Sequence, residues 1–396
     1  MISNLKYLPI FILPLGCIGI SSGFQVLSIL FFLFYLFKRK INYNYSSFFK
    51  SSIVRISLSM IFLWIICVII ADLVFKGNIG GFKDGWNYLQ RMLPFFLVGL
   101  FAINEKKFLK FTWCGICLSL LIVNIDVLYN FFIQGKWRPM TMFNGPNRLG
   151  AFLIMLLPFV ACGAYKYINC NRLNLISCLI AILGLFSLFV SGSRGAILGI
   201  LLGCLISFLI IQIKLGKIVD IIKILLLGIL ILMIAIVIGY ILYPELVVRS
   251  YDMERLYIWQ SALRMIADYP VWGVGAGHFN DIYVNNGYIN VLAKEPHLQH
   301  PHNIFLFYFV ERGMFTGITF MLMISTQIYL LVKNIFNKSK KLNVFALASL
   351  VMIVGAVIQG CVDVVMDNRT YQLMYWFLYG VACYSIVLDK DDKESV

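Results

Sequence analysis

Charged side chains are scarce in this chain. Only 13% of its 396 residues are Asp, Glu, Lys or Arg, whereas 61% are hydrophobic. A soluble domain has roughly 25% charged residues, so this composition excludes a soluble fold. Apolar runs of about 15 to 25 residues recur along the whole chain, and each is long enough to cross a membrane as a helix. The sequence therefore predicts an all-α integral membrane protein, surrounded by membrane lipids, with about 12 transmembrane helices.

Two motifs of nucleotide- and metal-dependent enzymes are also missing. The sequence contains no Walker loop, and no Asp-x-Asp pair occurs outside the C-terminal tail. These motifs would bind a nucleotide and the divalent metal of many sugar transferases. The ten cysteines predict no zinc site, because the pair Cys114 and Cys117 lacks a second pair. We therefore expect no metal and no other cofactor, so that the energy of any reaction must arrive in an activated substrate.

The basic residues predict the orientation of the chain. We expect helices near residues 7–20, 22–37, 56–75, 89–103, 111–134, 149–165, 173–191, 195–213, 224–243, 304–332, 344–362 and 371–388. With the N-terminus in the cytoplasm, the cytoplasmic segments hold most of the lysines and arginines, in agreement with the positive-inside rule. The net charge of +15 therefore reflects membrane topology and does not indicate nucleic acid. The chain divides into helices 1–9 (1–243), an outer loop with an amphipathic helix (244–303), helices 10–12 (304–388) and a cytoplasmic tail (389–396).

The large outer loop is expected to contain a helix from Glu254 to Tyr269. Within it, an apolar stripe at helical spacing is formed by Leu256, Trp259, Leu263 and Ile266. Pro270 follows and should end the helix. The three glycines after it predict a flexible turn; they are Gly273, Gly275 and Gly277.

The same loop contains every histidine of the chain, namely His278, His297, His300 and His302. His302 and Asn303 immediately precede the tenth predicted helix and should lie at the membrane surface. A histidine there can take a proton from a sugar hydroxyl. Two other interpretations stay open: the histidines cap the helix or lie among lipid headgroups, or His300 and His302 bind zinc. Zinc is disfavoured because no carboxylate or cysteine lies at ligand spacing in the sequence.

Arginines on the predicted outer side are candidates for binding an anion. Arg194 lies in the small-residue turn Ser191–Gly195 between two apolar helices, where its planar guanidinium suits a diphosphate. The alternative is an arginine that merely reaches the membrane interface. Arg255 and Arg264 are nine residues apart on the loop helix, which puts them on opposite faces. The two side chains therefore cannot both bind one ligand. We favour Arg255, at the start of the helix, for the diphosphate.

A third outer segment ends with Gly145-Pro146-Asn147-Arg148, immediately before the sixth predicted helix. Asn147 and Arg148 are candidates for binding sugar or phosphate, and a simple Gly-Pro turn with a helix cap is the equally weighted alternative. Asp363, near the outer end of the eleventh helix, should pair with a cation or line a polar path. The sequence assigns it no role.

These motifs together resemble the O-antigen ligase and polymerase superfamily of bacterial envelope proteins. The resemblance rests on four elements in order along the chain: Gly145-Pro146-Asn147-Arg148, Ser191–Gly195, the loop helix from Arg255 through Trp259 to Pro270 and Gly273-Val274-Gly275, and His302-Asn303 followed by Glu311, Gly313 and Gly317. The predicted layout of twelve helices with one long outer loop extends the similarity to the whole chain.

The resemblance implies a C-type glycosyltransferase-like bundle in the bacterial inner membrane, active on its periplasmic face. Such an O-antigen ligase would transfer glycan from undecaprenyl diphosphate to lipid A–core, without metal and with inversion. Arg194 and Arg255 would bind the diphosphate, and His302 would act on the acceptor hydroxyl. The remaining candidate substrate-binding residues are Asn147, Arg148, Arg264, His300 and Asn303.

Other functions stay open at this point. An O-antigen or exopolysaccharide polymerase would use the same donor, and the spacing of Arg264 and Gly275 is also found in polymerase loops. A protein-glycosylating oligosaccharyltransferase would differ only in its acceptor. A transporter or flippase is less well supported, since the acids Asp72, Asp126 and Asp363 are scattered and no paired broken helices are evident.

Overall fold

The computed structural model describes residues 7–19, 50–76, 79–100, 106–166, 171–217, 254–290, 298–337 and 342–394, together with single positions between 23 and 30. No β-strand occurs in these residues, so the predicted all-α fold is confirmed for them. The helices are α1 (Leu8–Cys17), α2 (Ser52–Lys76), α3 (Ile79–Leu100), α4 (Lys106–Leu128), α5 (Pro146–Lys166), α6 (Asn171–Ser191), α7 (Arg194–Lys214), α8 (Glu254–Asp268), α9 (Phe279–Asn285), α10 (Ile304–Phe336), α11 (Val344–Gly360) and α12 (Arg369–Glu394). A π-helical turn, Tyr129–Ile133, extends α4, and a 3₁₀ turn, Val365–Asp367, precedes α12.

Among the described residues, six helical segments are long and apolar enough to cross a membrane, namely Ser52–Phe75, Lys107–Ile133, Pro146–Lys166, Arg172–Ser191, Arg194–Lys214 and Ile304–Phe336. The apolar helices α1 and α11 are shorter. The chain is thus a multi-pass membrane protein. The expected second and ninth helices, at 22–37 and 224–243, lie outside the described residues except for single positions. The total of twelve crossings and their orientation therefore remain predictions.

The helices differ in how much of their surface faces outward. On α6, Leu179, Ile182 and Phe189 are each more than half exposed, and their spacing places them on one side of the helix. Such an apolar face is stable in contact with lipid but not with water. In contrast, most of α11 is buried by its neighbours. The candidate site described below lies at the C-terminal end of this central helix.

Glycines bring α7 and α11 into close antiparallel contact. A Cβ atom at Gly199 would lie 2.6 Å from the carbonyl oxygen of Gly355, and one at Gly203 would lie 2.8 Å from that of Val351. Small residues let helix backbones approach in this way inside membranes. As a result, the N-terminus of α7, where Arg194 lies, is held against the C-terminal end of α11.

The segment that follows α8 is bound to α10 at a kink. Gly313 has φ 73°, and the backbone of Val271 packs directly against it. The kink frees two backbone carbonyls of α10. The carbonyl of Val310 accepts a hydrogen bond from the N–H of Val274 (2.8 Å), and the carbonyl of Glu311 accepts one from the N–H of Gly275 (3.0 Å). The three turn glycines do adopt left-handed φ angles, as a turn requires. The expectation of a flexible turn is nevertheless wrong, because these backbone hydrogen bonds fix it to α10.

The loop helix α8 was predicted correctly in extent but not in its buried face. Leu256 and Leu263 are 42% and 56% exposed, whereas Ile258, Ala262 and Met265 are buried against α9 and α10. Two apolar stripes run along this helix, one that contains Leu256 and Leu263 and one that contains Ala262. The stripe containing Ala262 is the one that joins the buried cluster with Phe279 and Val310.

Helix α3 begins at residue 79, ten residues before the predicted start at 89. The predicted helix therefore left out Asp84 and Asn87, whereas Arg91 lay within it. These side chains line a polar cleft instead of facing lipid. A polar stretch of helix is therefore compatible with this fold when it faces a cavity.

Candidate functional site

Asp363, just after α11, connects separate parts of the candidate site. One of its carboxylate oxygens accepts a hydrogen bond of 2.7 Å from the side-chain amide of Asn147, at the start of α5. Its other oxygen lies 4.0 Å from Nδ1 of His302, at the entrance to α10. The side chain of Gln359 further donates to the backbone carbonyl of Asn147, at 2.8 Å. Asp363, to which the sequence assigned no role, is thus central to the site.

Three arginines line a cavity of about 100 Å³ beside Asp363: Arg138, Arg194 and Arg255. All three are exposed, and Asp363 is the one carboxylate among the described residues of the lining. Arg194 opens α7, where the helix dipole also favours an anion. Guanidinium groups bind phosphate oxygens through paired hydrogen bonds. The cavity is therefore suited to an anionic group such as a diphosphate.

Arg138 was not found from the sequence, because no motif contains it. Its backbone has φ 56°, and its N–H donates to the carbonyl of Val190 at 3.2 Å. The stem of the side chain crosses Gly192, where a Cβ atom would lie 2.8 Å from Cγ of Arg138. Gly192 thus provides the space through which Arg138 reaches the cavity.

A larger cavity of about 380 Å³ adjoins the arginine cavity and shares Asn147 and Asp363 with it. Arg148 and His300 line it as well, so both lie where a substrate could contact them. Asp367 lies on its far side and accepts hydrogen bonds from the phenols of Tyr88 (2.5 Å) and Tyr308 (2.9 Å). The sequence did not identify Asp367, since its partners come from distant helices.

The rings of His300 and His302 lie in edge-to-face contact, with centroids 4.6 Å apart. Both Nδ1 atoms are buried without a hydrogen-bond partner, and His302 has a strained backbone with φ 50°. The indole of Trp259 fixes the segment by donating to the carbonyl of Pro301 at 3.1 Å. Burial lowers the pKa of His302 to about 4; His300 and Arg255 act in the same direction, and Asp363 acts against them. His302 is therefore neutral at pH 7 and able to accept a proton.

The sequence argument against a metal at the histidines was incorrect in one respect. It assumed that no carboxylate partner is near, but His300, His302 and Asp363 offer ligand atoms within 4.8 Å of one another. The fold brings Asp363 to this place from a distant part of the chain. Two imidazoles and a carboxylate are a donor set that zinc accepts. Independence from metal is thus a prediction that requires its own test.

Two further candidate residues have evident structural contacts. The side-chain oxygen of Asn303 caps α10 by accepting the N–H groups of Phe305 (2.9 Å) and Leu306 (3.1 Å). The guanidinium of Arg264 donates to the carbonyl of Tyr288 at 3.2 Å. Arg264 does not line the arginine cavity, the larger cavity or the polar cleft along α3. Arg255, in contrast, lines the arginine cavity. His278 is exposed, and His297 lies outside the described residues.

Comparison with known proteins supports the family suggested by the motifs. Residues 179–321 match a family described as O-antigen ligase. This segment includes Arg194, Arg255 and both clustered histidines. A protein of Pseudomonas aeruginosa named O-antigen ligase is 34% identical over 118 residues, which amount to 30% of this chain and 26% of that relative. The matched region is thus about a quarter of the length of the relative. The resemblance to the O-antigen ligase family is therefore confirmed, and it is carried by residues 179–321 of this multi-pass membrane protein.

Proposed function

We propose that the protein is an O-antigen ligase, a membrane glycosyltransferase that moves a glycan from undecaprenyl diphosphate to lipid A–core. The observation that carries the proposal is the convergence of Arg138, Arg194 and Arg255 on one cavity, with neutral His302 beside it at Asp363. An anion site next to a proton acceptor suits the transfer of a group from a diphosphate. The family match over residues 179–321 supports the same class of reaction.

The arginines would act on the leaving group. As the bond between the anomeric carbon and the diphosphate oxygen breaks, negative charge develops on the diphosphate. Guanidinium groups already in place stabilise this charge without reorganisation, by about 2 to 4 kcal/mol each. No nucleotide is needed, because the carrier-linked substrate is already activated.

His302 would act on the acceptor. Its neutral imidazole takes the proton from an acceptor hydroxyl while that oxygen forms a bond to the anomeric carbon and the diphosphate departs. A single displacement of this kind inverts the anomeric configuration. Asp363 stabilises the imidazolium that forms, since its carboxylate lies 4.0 Å from Nδ1.

The membrane would bring the two substrates together. Donor and acceptor both have lipid anchors, so they diffuse in two dimensions and meet at the mouth of the bundle. The proposed location is the periplasmic face of the bacterial inner membrane. It is supported by the excess of basic residues in the segments assigned to the cytoplasm.

The proposal can be tested by incubating the purified protein with labelled carrier-linked glycan and either lipid A–core or a second carrier-linked glycan. We expect label on lipid A–core, with an inverted linkage, and loss of transfer in His302→Ala. His278→Ala is a matched control, because His278 is exposed and its ring contacts the backbone carbonyl of Ala276, whereas His302 lies beside Asp363. Elongation of the carrier-linked glycan would instead identify a polymerase. Retention of configuration would contradict a single displacement.

A further inference from the structure

A second polar cleft, of about 330 Å³, lies between α3, the glycine turn and the kinked part of α10. Asp84, Asn87 and Arg91 line it from α3, and Glu311 and Asp367 line it from the other side. We call it the α3 cleft. None of these five residues was among the predicted site residues.

The α3 cleft continues from the larger cavity of the candidate site. Phe307 and Asp367 line both of them. The larger cavity in turn shares Asn147 and Asp363 with the arginine cavity. The three cavities therefore form a row, with the arginine cavity at one end and the α3 cleft at the other.

A buried arginine forms part of the wall of the α3 cleft. Arg312 lines the cleft and is only 5% exposed. Its Nε donates to the carboxylate of Asp72 at 3.0 Å, but its Nη1 has no hydrogen-bond partner. Oε2 of Glu311 lies 3.8 Å from Nη1, beyond hydrogen-bonding distance. The guanidinium of Arg312 therefore lies between the carboxylates of Asp72 and Glu311 and holds Glu311 at the wall of the cleft.

The chemistry of the lining favours a sugar over an anion or a metal ion. The described lining has no excess of cations, since Asp84 and Asp367 balance Arg91 and Arg312 and Glu311 is a third acid, so it is not a typical phosphate site. Among the described residues, no His, Cys, Asp or Glu cluster in this cleft is compact enough to hold a metal. Hydroxyl groups both donate and accept, so they match carboxylates and guanidiniums alike.

Aromatic side chains complete the lining. Tyr88 lies between two guanidiniums, with its ring centroid 5.6 Å from Arg91 and 5.5 Å from Arg312. Phe307 lies at the border with the larger cavity and offers an apolar surface to the C–H groups of a sugar ring. A cleft with charged hydrogen-bonding groups and aromatic side chains is well suited to a carbohydrate.

We propose that the α3 cleft binds the second sugar of the carrier-linked glycan, counted from the diphosphate. This inference rests on the proposed function. The covalent order of the donor then matches the order of the cavities: diphosphate at the arginines, first sugar in the larger cavity and second sugar in the α3 cleft. The cleft thereby recognises the repeat unit, whereas the arginines recognise the carrier that all such donors share.

The test compares donors that have one sugar and two sugars on undecaprenyl diphosphate. For the full-length wild type, we expect a higher kcat/KM with the two-sugar donor. Arg91→Ala should lower the ratio of the two kcat/KM values about tenfold, since it removes a charged hydrogen-bond donor. Asn87→Ala, a milder change, should lower the ratio in the same direction. Lys83→Ala is the matched control on the same helix, because Lys83 is exposed and lines none of the three polar cavities.

The outcomes separate the two proposals. Arg194→Ala should slow transfer from both donors equally, so it tests the diphosphate site alone. An unchanged ratio in both Arg91→Ala and Asn87→Ala, in folded protein, would overturn the α3 cleft as a sugar subsite. Absence of transfer by the wild type with either donor would overturn the proposed function itself.

Discussion

Nδ1 of His302 and the carboxylate of Asp363 lie 4.0 Å apart although they belong to segments next to different helices. His302 precedes α10, and Asp363 follows α11. The same carboxylate is held by the amide of Asn147 at 2.7 Å, and it lines the arginine cavity. Asp363 thus connects the proposed proton acceptor with the proposed diphosphate site.

The pH dependence of transfer should reflect the lowered pKa of His302. An ordinary histidine, with a pKa near 6.5, would be mostly protonated at pH 5.5 and unable to accept a proton. Because burial lowers the pKa of His302 to about 4, the imidazole stays neutral at that pH. We expect kcat/KM to remain nearly constant from pH 7 to about 5.5 and to fall only as the pH approaches 4. An acidic limb centred near 6.5 in a stable enzyme would contradict this account.

Arg138 should contribute to the binding of the leaving group as Arg194 and Arg255 do. Arg138→Ala is expected to lower kcat/KM for the donor about 10²-fold, by loss of one guanidinium from the cavity. The neighbouring Lys136→Ala serves as a control, since Lys136 is exposed and lines none of the three polar cavities. Steady-state kinetics with a carrier-linked donor measure both. Equal rates for the two variants would remove Arg138 from the site.

The kink in α10 should be essential for stability. Gly313→Ala would place a Cβ atom 2.0 Å from the carbonyl oxygen of Val271, and we expect a loss of roughly 4 kcal/mol or more. Gly277→Ala is a matched control with a similar positive φ of 80° but no atom within 4 Å of the new Cβ. Left-handed strain alone should cost about 1 to 2 kcal/mol there. Thermal unfolding of both variants in the same detergent distinguishes them, and equal melting temperatures would contradict the packing described for Gly313.

Transfer is expected to continue after complete removal of metal ions. The proposed reaction uses guanidiniums to stabilise the diphosphate, although His300, His302 and Asp363 are close enough to bind a cation. We therefore expect the same rate before and after dialysis against a chelator. Loss of activity that zinc or manganese restores would show that this cluster holds a catalytic metal.

Local patterns in the sequence predicted part of this site. Arg194 was identified from a small-residue turn between apolar helices, and His302 from its position before a helix. The opposite faces of Arg255 and Arg264 followed from helix geometry. Each of these inferences depends on residues that are close in sequence.

The remaining features depend on contacts between distant segments. Arg138 reaches the cavity only because Gly192, from another segment, leaves space for it. Asp367 becomes part of the site through Tyr88 and Tyr308. The buried face of α8 is chosen by α9 and α10, and periodicity alone could not decide between its two apolar stripes. Such long-range packing is not encoded in any local pattern.

The most direct test of the central claim follows labelled glycan from undecaprenyl diphosphate to lipid A–core in wild type, Arg194→Ala and Arg172→Ala. Arg172 is an exposed arginine at the opposite end of α6 from the Ser191–Gly195 turn, so it controls for loss of charge. We predict transfer by the wild type and by Arg172→Ala at the same rate, and a rate about 10²-fold lower for Arg194→Ala. Transfer by Arg194→Ala at the wild-type rate, or no transfer by any of the three proteins, would contradict the account.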